Sequence, residues 1–208
     1  MTKENILQVA IQEFSLYGYD AVSMNNLASK LDVNKATIYY HYKDKKSLYQ
    51  AVLTKLIRQN WETLEKIVNS NIDSKEKFKQ YIKLFMGTIK ETPQIVPLTL
   101  RELANLGINV TGHIEEDLEK EVKYLSDILN ELNLKDKYKV TDPYIIKALI
   151  MGTVNTYYSM HMSDVNMETL KDFEKNAGKV LDYLDEFIFN ILIDALCKEE
   201  MEKLTIQT

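Results

Sequence analysis

The 208-residue sequence has little of what interrupts helices or crosslinks chains: six glycines, three prolines and one cysteine. Because glycine and proline are the strongest helix breakers, their scarcity favours an all-α fold. Cys197 alone cannot form an internal disulfide, and we expect it to be a buried apolar side chain in a reducing compartment. No apolar run approaches the roughly 18 residues that span a bilayer, and the amino-terminal segment lacks the apolar core of a signal peptide. We therefore expect a cytoplasmic protein with no membrane partner.

The sequence also lacks the residue patterns of catalytic and metal sites. His41, His113 and His161 are scattered, without the spacing that places two ligands on one helix face. No glycine-rich phosphate loop and no nucleophile beside a base is recognisable. We predict no enzymatic activity, no catalytic residues, no metal and no cofactor. With 45% hydrophobic and 27% charged residues, the chain suits one or two globular domains with a true core.

The most informative stretch is residues 22–48, VSMNNLASKLDVNKATIYYHYKDKKSL. Ser23 can cap a first short helix, and Asn34 can cap a second that begins at Lys35. The tight turn around Asp32 separates them, and the small Ala28 allows two helices to cross closely. This arrangement predicts a helix-turn-helix.

The outer face of the second helix carries side chains that no hydrophobic core requires: a cation, small and hydroxyl groups, two phenols and an imidazole. Such a face suits the major groove of double-stranded DNA. Residues 30–46 contain five lysines against two aspartates, a local net charge of +3 in a chain of net charge −5. This local reversal indicates phosphate binding. The candidate DNA-contacting residues are Ser23, Met24, Lys35, Ala36, Thr37, Tyr39, Tyr40, His41 and Lys45.

Two motifs in this region resemble the DNA-binding domain of the tetracycline-repressor (TetR) family of bacterial regulators. The second helix and its continuation, KATIYYHYKDK at residues 35–45, is similar to the recognition helix of that family. The entry motif A-x-x-x-F-x-x-x-G-[YF]-x-x-x-[ST] is carried by Ala10, Phe14, Gly18, Tyr19 and Ser23. The turn departs from the family pattern, with Asp32 in place of glycine, and we expect Asp32 to adopt the left-handed backbone conformation.

The helix after this motif is predicted to run from Lys45 to about Ser70, with Asp44 as its cap. Such a helix would pass through both domains and act as a lever between them. We divide the chain into a DNA-binding domain at residues 1–47 and a helical effector-binding and dimerisation domain at residues 48–208. Trp61, on the long helix, is predicted to be a core residue rather than a ligand sensor.

Flexible or amphipathic apolar side chains are concentrated in the centre of the chain. Each is more often plain core than pocket lining, but the TetR resemblance implies an effector cavity among the C-terminal helices, so both interpretations stay open. Tyrosine and methionine suit a small lipophilic or aromatic ligand. Arg101 and Glu102 are assigned to a polar face and the acids at 115–117 to a solvated one, so a cationic ligand is not favoured over a fatty acyl group. The candidate ligand-binding residues are Tyr81, Phe85, Met86, Leu103, Tyr124, Ile128, Met151, Asn155 and Tyr158.

The last helix, predicted at Thr169–Cys197, repeats apolar residues at alternating steps of four and three. The stripe is wider than one seam needs, which implies a second partner surface. Together with a nearly all-apolar helix at Tyr144–Met162, it predicts a four-helix bundle with a second copy of the chain. The candidate dimer-interface residues are Ala177, Leu181, Leu184, Phe187, Ile188 and Ile191.

Taken together, these patterns predict a homodimeric transcriptional repressor. It would bind a palindromic DNA operator, placing it on the bacterial nucleoid, and a small lipophilic or aromatic inducer would release it. The residues do not distinguish a repressor from an activator, because both would carry the same DNA-binding and ligand-binding residues. The alternative is a helical small-molecule carrier or scaffold, in which the helix-turn-helix only supports packing.

Overall fold

The computed structural model describes residues 2–161 and 177–198, with side chains for residues 2–160 and 183–198. The all-α prediction is confirmed: within these ranges the chain is helical, apart from connections and one isolated bridge between Leu134 and Cys197. The helices are α1 Lys3–Ala21, α2 Met24–Lys30, α3 Lys35–His41, α4 Lys45–Arg58, α5 Trp61–Val68, α6 Ser74–Glu91, α7 Ile95–Ala104, α8 His113–Glu131, a short 3-10 helix Asp136–Tyr138, α9 Pro143–His161 and α10 Ala177–Leu196. None of the described helices is both long enough and apolar enough to cross a membrane.

Side-chain caps set the starts of the helices around the turn. Ser23 Oγ accepts from the backbone N–H of Asn26 at 3.1 Å, and Asn34 Oδ1 accepts from that of Ala36 at 2.8 Å. Asp44 caps α4 through the backbone N–H of Ser47 at 2.7 Å, and this hydrogen bond lowers the pKa of the Asp44 carboxyl. Asp32 has a φ of 52°, the left-handed conformation expected for it.

The helices enclose two hydrophobic cores. The first joins α1–α4 and also receives Leu98 from α7 and Ile114 from α8. The second joins α5–α10 and includes Cys197, whose thiol pKa is raised by its burial. The buried residues of α4, from Leu48 to Leu56, all lie in the first core, so α4 packs with the helix-turn-helix along its length.

The predicted continuous helix from Lys45 to Ser70 is wrong, because the chain breaks between α4 and α5. Asn60 leaves helical geometry, with φ −110° and ψ 2°, and its side-chain amide bonds to the Thr88 hydroxyl of α6. Asparagine is a weak helix former, since its side chain competes for local hydrogen bonds. Just before the break, the Arg58 guanidinium donates to both carboxylate oxygens of Asp117 at 2.6 and 2.8 Å. Asp117 is therefore buried, contrary to the solvated face expected for this acidic run.

Gly18 kinks α1 where α7 crosses it. Its φ of 78° lies in the region that glycine alone adopts freely. The Arg101 guanidinium passes 3.1 Å from the position a Cβ would occupy there and donates to the carbonyl of Leu16 at 3.1 Å. A side chain at position 18 would disturb both the kink and this contact between α1 and α7.

Candidate DNA-binding surface and internal cavity

Helix α3 is held by one buried residue and exposes the others. Ile38 is fully buried in the first core, whereas Lys35, Ala36, Tyr39 and Tyr40 are exposed. Tyr40 projects furthest, with 86% of its surface accessible. The remaining predicted contacts of this helix, Thr37 and His41, are half-buried. The structure thus brings together on one outer face the α3 residues selected from the sequence.

The two candidates that precede α3 are placed differently. Ser23 is half-buried, and its hydroxyl is used as the cap of α2. Met24 is only 6% exposed and packs in the first core, so its side chain is not available to DNA. The cause is the helical register: Met24 shares the inner face of α2 with Leu27 and Ala28.

Three of the five lysines near the turn have partners within the chain, among them Lys35, whose Nζ lies 5.4 Å from the centre of the Tyr39 ring. Lys30 Nζ pairs with the Glu13 carboxylate at 2.5 Å. Lys45 Nζ donates to the carbonyl of Asp20 at 3.1 Å and lies 4.5 Å from the centre of the Tyr19 ring. Residues 1–58 carry eight basic and five acidic side chains, a net +3, whereas residues 59–208 carry 18 basic and 26 acidic ones, a net −8. The positive charge is thus confined to the end of the molecule that carries α3.

A cavity of about 850 Å³ lies between α4, α5, α6, α7, α8 and α9. Five of the predicted ligand-binding residues line it: Tyr81, Phe85, Leu103, Met151 and Asn155. The other four do not. Met86 and Ile128 are buried in the second core, and Tyr124 and Tyr158 pack against that core. Helix geometry explains the division: on α6, Tyr81, Phe85 and Thr88 line the cavity, while Phe78, Ile82, Met86 and Ile89 lie in the core away from it. Tyr81 belongs to both the cavity wall and the core.

The candidate ligand-binding residues include none from α4 or α5, yet both helices contribute to this wall. Leu53, Leu56 and Leu64 line the cavity, and so does Trp61, which we had predicted to be a core residue. Arg58 and Lys120 lie 4.9 and 4.5 Å from the centre of the Trp61 rings. The indole Nε1 is buried and finds no hydrogen-bond partner among the described residues. The flanking cations were the available signal that one side of Trp61 is not core.

Glu102 is the main correction to the predicted polar face. Its side chain lies in the cavity wall and is only 7% exposed. Oε1 accepts from the Tyr49 hydroxyl at 2.6 Å and from the Asn109 amide at 3.0 Å, whereas Oε2 finds no partner in the described part of the chain. Burial, and then the hydrogen bond to Glu102, raise the pKa of Tyr49 far above its ordinary value, so its hydroxyl stays a donor.

The link after α7 forms part of the same cavity wall. Leu106 and Gly107 line it, and both have positive φ, 55° and 68°. A leucine in this conformation is strained, and Leu106 is also 94% exposed. The segment from Gly107 to Gly112 thus borders the cavity, through Gly107 and Val110.

Comparison with known proteins identifies the helix-turn-helix. The profile of the family "Bacterial regulatory proteins, tetR family" matches residues 6–52, which span the region from α1 into α4. The DNA-binding domain of the chain belongs to the TetR family. The resemblance seen in the sequence is therefore confirmed, and the chain is a transcriptional regulator of this family.

One relative and two solved structures show the extent of the similarity. The negative transcriptional regulator IcaR of the Staphylococcus aureus icaADBC biofilm operon is 40% identical over 48 residues, 23% of this chain and 26% of that protein. FadR from Bacillus subtilis, in complex with stearoyl-CoA, superimposes with a TM-score of 0.69 at 19% identity, over 93% of this chain and 99% of FadR. A protein from Saccharomonospora viridis, in complex with choline, gives 0.71 at 15% identity, over 94% and 97% of the two chains. The TetR-type fold thus extends over both cores.

This TetR-family chain also exposes an apolar surface on its last two helices. On α10, Tyr183, Phe187 and Ile191 recur every four residues and are each about half exposed. Leu184 and Ile188, which we predicted in the dimer seam, instead pack in the second core, because the face of α10 that carries them lies against α6. The side chains of Ala177 and Leu181 lie outside the described residues. On α9, the exposed apolar residues include Ile145, Leu149 and Met160.

No metal site emerges from the described part of this TetR-family chain. Within residues 2–161 and 177–198, no three or more histidine, cysteine, aspartate or glutamate side chains are grouped so that they could hold an ion.

Proposed function

We propose that this TetR-family regulator is a homodimeric repressor that a small molecule releases from a palindromic operator. The observation that carries the proposal is that α4 contributes to two places at once. Its first half packs in the core that holds α3, and Leu53 and Leu56 at its other end line the cavity. The 40% identity with the negative regulator IcaR over 48 residues supports repression rather than activation.

The exposed stripe of α10 supports the homodimer. Half-exposed aromatic and aliphatic side chains at successive four-residue steps are costly in water, and a second copy of the same helix would cover them. A two-fold dimer presents two α3 helices to successive major grooves, about 34 Å apart, which requires a palindromic site.

Ligand release requires that the ligand bind one arrangement of the two DNA-binding domains better than the other. The helix predicted to link the two domains is divided into α4 and α5, so α4 alone is the part that moves. The end of α4 is joined to α8 by the ion pair between Arg58 and Asp117. A ligand that pushes the cavity wall at Leu56 would tilt α4 about this ion pair. The tilt would change the distance between the two α3 helices.

The direct test is a binding titration of the protein with the DNA upstream of its own gene. A repressor of this class binds with an affinity that falls steeply as salt rises. The rival interpretation, a helical carrier or scaffold, predicts no salt-dependent affinity for DNA. Absence of such binding would favour the carrier.

Lys46→Ala is expected to weaken binding to the operator and to unrelated duplexes alike. Lys46 is exposed at the start of α4, where a lysine contacts phosphate rather than bases. The slope of log K against log salt should fall by roughly one for each lost phosphate contact. We expect Lys45→Ala to lower affinity similarly and also to lower the melting temperature, because Lys45 joins α4 to the Asp20 carbonyl. Unchanged slopes in both variants would remove this end of α4 from the interface.

Gly152→Leu is expected to blunt induction while leaving operator binding intact. Gly152 lines the cavity, and no described atom beyond the backbone of its own helix lies within 4 Å of the position of a Cβ. The added side chain would therefore fill space that a ligand needs. Operator affinity is measured with and without inducer. Gly87→Leu is the matched control, a helical glycine with the same free space that does not line the cavity. Equal induction of both variants would contradict the cavity as inducer site.

A further inference from the structure

We infer that the cavity takes a lipophilic ammonium compound, whose N–H group donates to Oε2 of Glu102. This inference deepens the proposed function, on which it rests for its link to DNA release. The ligand class follows from Glu102, a buried acid whose second carboxylate oxygen has no hydrogen-bond partner among the described residues.

The two oxygens of the Glu102 carboxylate differ in their hydrogen bonds. Oε1 receives two hydrogen bonds, from Tyr49 and Asn109, while Oε2 is buried without a partner among the described residues. A buried polar atom without a hydrogen bond costs about 1–3 kcal/mol, and more when it is charged. A ligand that donates to Oε2 recovers this cost once the carboxylate turns toward the cavity that Glu102 lines, because Oε2 itself is buried while the cavity is empty.

The charges around the cavity select a cation over an anion. Three of its lining residues are charged: Glu102, Glu121 and Lys147. Lys147 Nζ pairs with the Glu121 carboxylate at 2.9 Å, so these two neutralise each other. The neighbouring Arg101 directs its guanidinium to the carbonyl of Leu16 on α1. Glu102 is thus the charged lining residue that no described ion pair neutralises, and beside it an ammonium group is favoured and a carboxylate disfavoured.

The other lining residues indicate that the rest of the ligand is apolar. Its lining is dominated by leucines, isoleucines and aromatic rings, and a volume of about 850 Å³ suits a drug-sized or lipid-sized molecule. Asn155 and Trp61 Nε1 offer further polar contacts for groups along that body. An apolar amine fits this combination of one acidic contact and a large hydrocarbon surface.

Glu102 is also hydrogen-bonded to Tyr49 of α4, which would transmit the effect of a bound ligand to the DNA-binding domain. Tyr49, its donor, packs against the rings of Phe14 at 4.8 Å and Tyr19 at 5.0 Å between centroids. Lys45, at the start of α4, lies over Tyr19. A ligand ammonium at Oε2 draws the carboxylate toward the cavity, and so acts directly on the hydrogen bond to Tyr49.

The test uses the full chain and three probes of twelve carbons each: dodecylammonium, dodecanol and dodecanoate. Trp61 is the sole tryptophan and lines the cavity, so its fluorescence reports binding without DNA. We expect dodecylammonium to bind about tenfold or more tightly than dodecanol, and dodecanoate to bind most weakly. If the unsubstituted protein binds the three probes equally or prefers dodecanoate, that result alone overturns the inference.

Glu102→Gln then assigns the preference to one residue. The amide oxygen of glutamine keeps an acceptor for Tyr49 and Asn109, while the negative charge is lost. We expect the affinity for dodecylammonium to fall about tenfold or more and that for dodecanol to stay within about twofold. Glu119→Gln, an exposed site on α8 outside the lining, removes the same charge and should leave all three affinities unchanged. A preference for the amine that survives in Glu102→Gln would refute the assignment.

The same probes separate this inference from the proposed function. If dodecylammonium binds through Glu102 but operator affinity does not change, the ligand chemistry stands and the inducible repressor fails. If operator affinity falls with dodecanol or dodecanoate and not with the amine, the repressor stands and the role of Glu102 fails.

Discussion

Phe187→Glu is expected to convert the protein to monomers and to lower its operator affinity by about 100-fold or more. Phe187 lies at the centre of the exposed apolar stripe of α10, between Tyr183 and Ile191. In a homodimer a partner helix covers this position, and a carboxylate there would lose its water without gaining a counter-charge. A monomer binds one half-site, whereas the dimer makes the second binding event intramolecular. Sedimentation velocity measures the first effect, and a DNA titration of the same sample measures the second.

Two further variants make the result specific to this surface. Ile191→Glu, one turn along the same stripe, should reproduce both effects. Val140→Glu introduces the same charge at an apolar residue that is 99% exposed beside the 3-10 helix, and should change neither. A Phe187→Glu protein that sediments as a dimer, or a monomer that keeps full operator affinity, would contradict the proposed assembly.

Tyr40→Ala should weaken operator binding by about 1–3 kcal/mol for each subunit, which doubles in a symmetric dimer. Tyr40 is the most exposed residue of α3, and its ring meets only that of His41, at 5.1 Å between centroids. Its removal therefore costs the fold little, and circular dichroism should not change. Lys35→Ala, at the first position of the same helix, should act in the same direction.

The decisive measurement is the ratio of operator affinity to affinity for an unrelated duplex. A residue that reads bases lowers this ratio, whereas a phosphate contact such as the one expected of Lys46 leaves it unchanged. If Tyr40→Ala and Lys35→Ala both keep the ratio of the unsubstituted protein, α3 is not the element that reads the operator.

The helix-turn-helix could be predicted closely because its determinants are local. Ser23, Asn34 and Asp44 each bond to a backbone N–H two or three residues ahead, so their effect is written in short sequence spacings. Asp32 was placed correctly in the left-handed region for the same reason. Met24 was misplaced, because the face on which a residue lies depends on the register of a helix only two turns long.

The cavity was predicted only in part, because its wall depends on contacts between distant segments. Tyr81 and Met86 lie on one helix and in the same core, yet only Tyr81 also lines the cavity. Glu102 reads as a solvent-facing acid until its partners are known, and these lie 53 residues before it and seven after it. The break at Asn60 likewise depends on Thr88, across the bundle.

The separation of charge along the chain has a consequence for how the protein meets DNA. The first 58 residues carry a net charge of +3 and the remaining 150 a net −8, so the α3 end attracts a polyanion although the overall charge repels it. As the protein approaches, the field of the DNA turns the α3 end inward, and collisions through the acidic body are rejected. The association rate constant should therefore pass through a maximum as ionic strength rises. At low salt the repulsion by the body extends beyond the reach of the α3 end, and at high salt the orienting torque itself is screened.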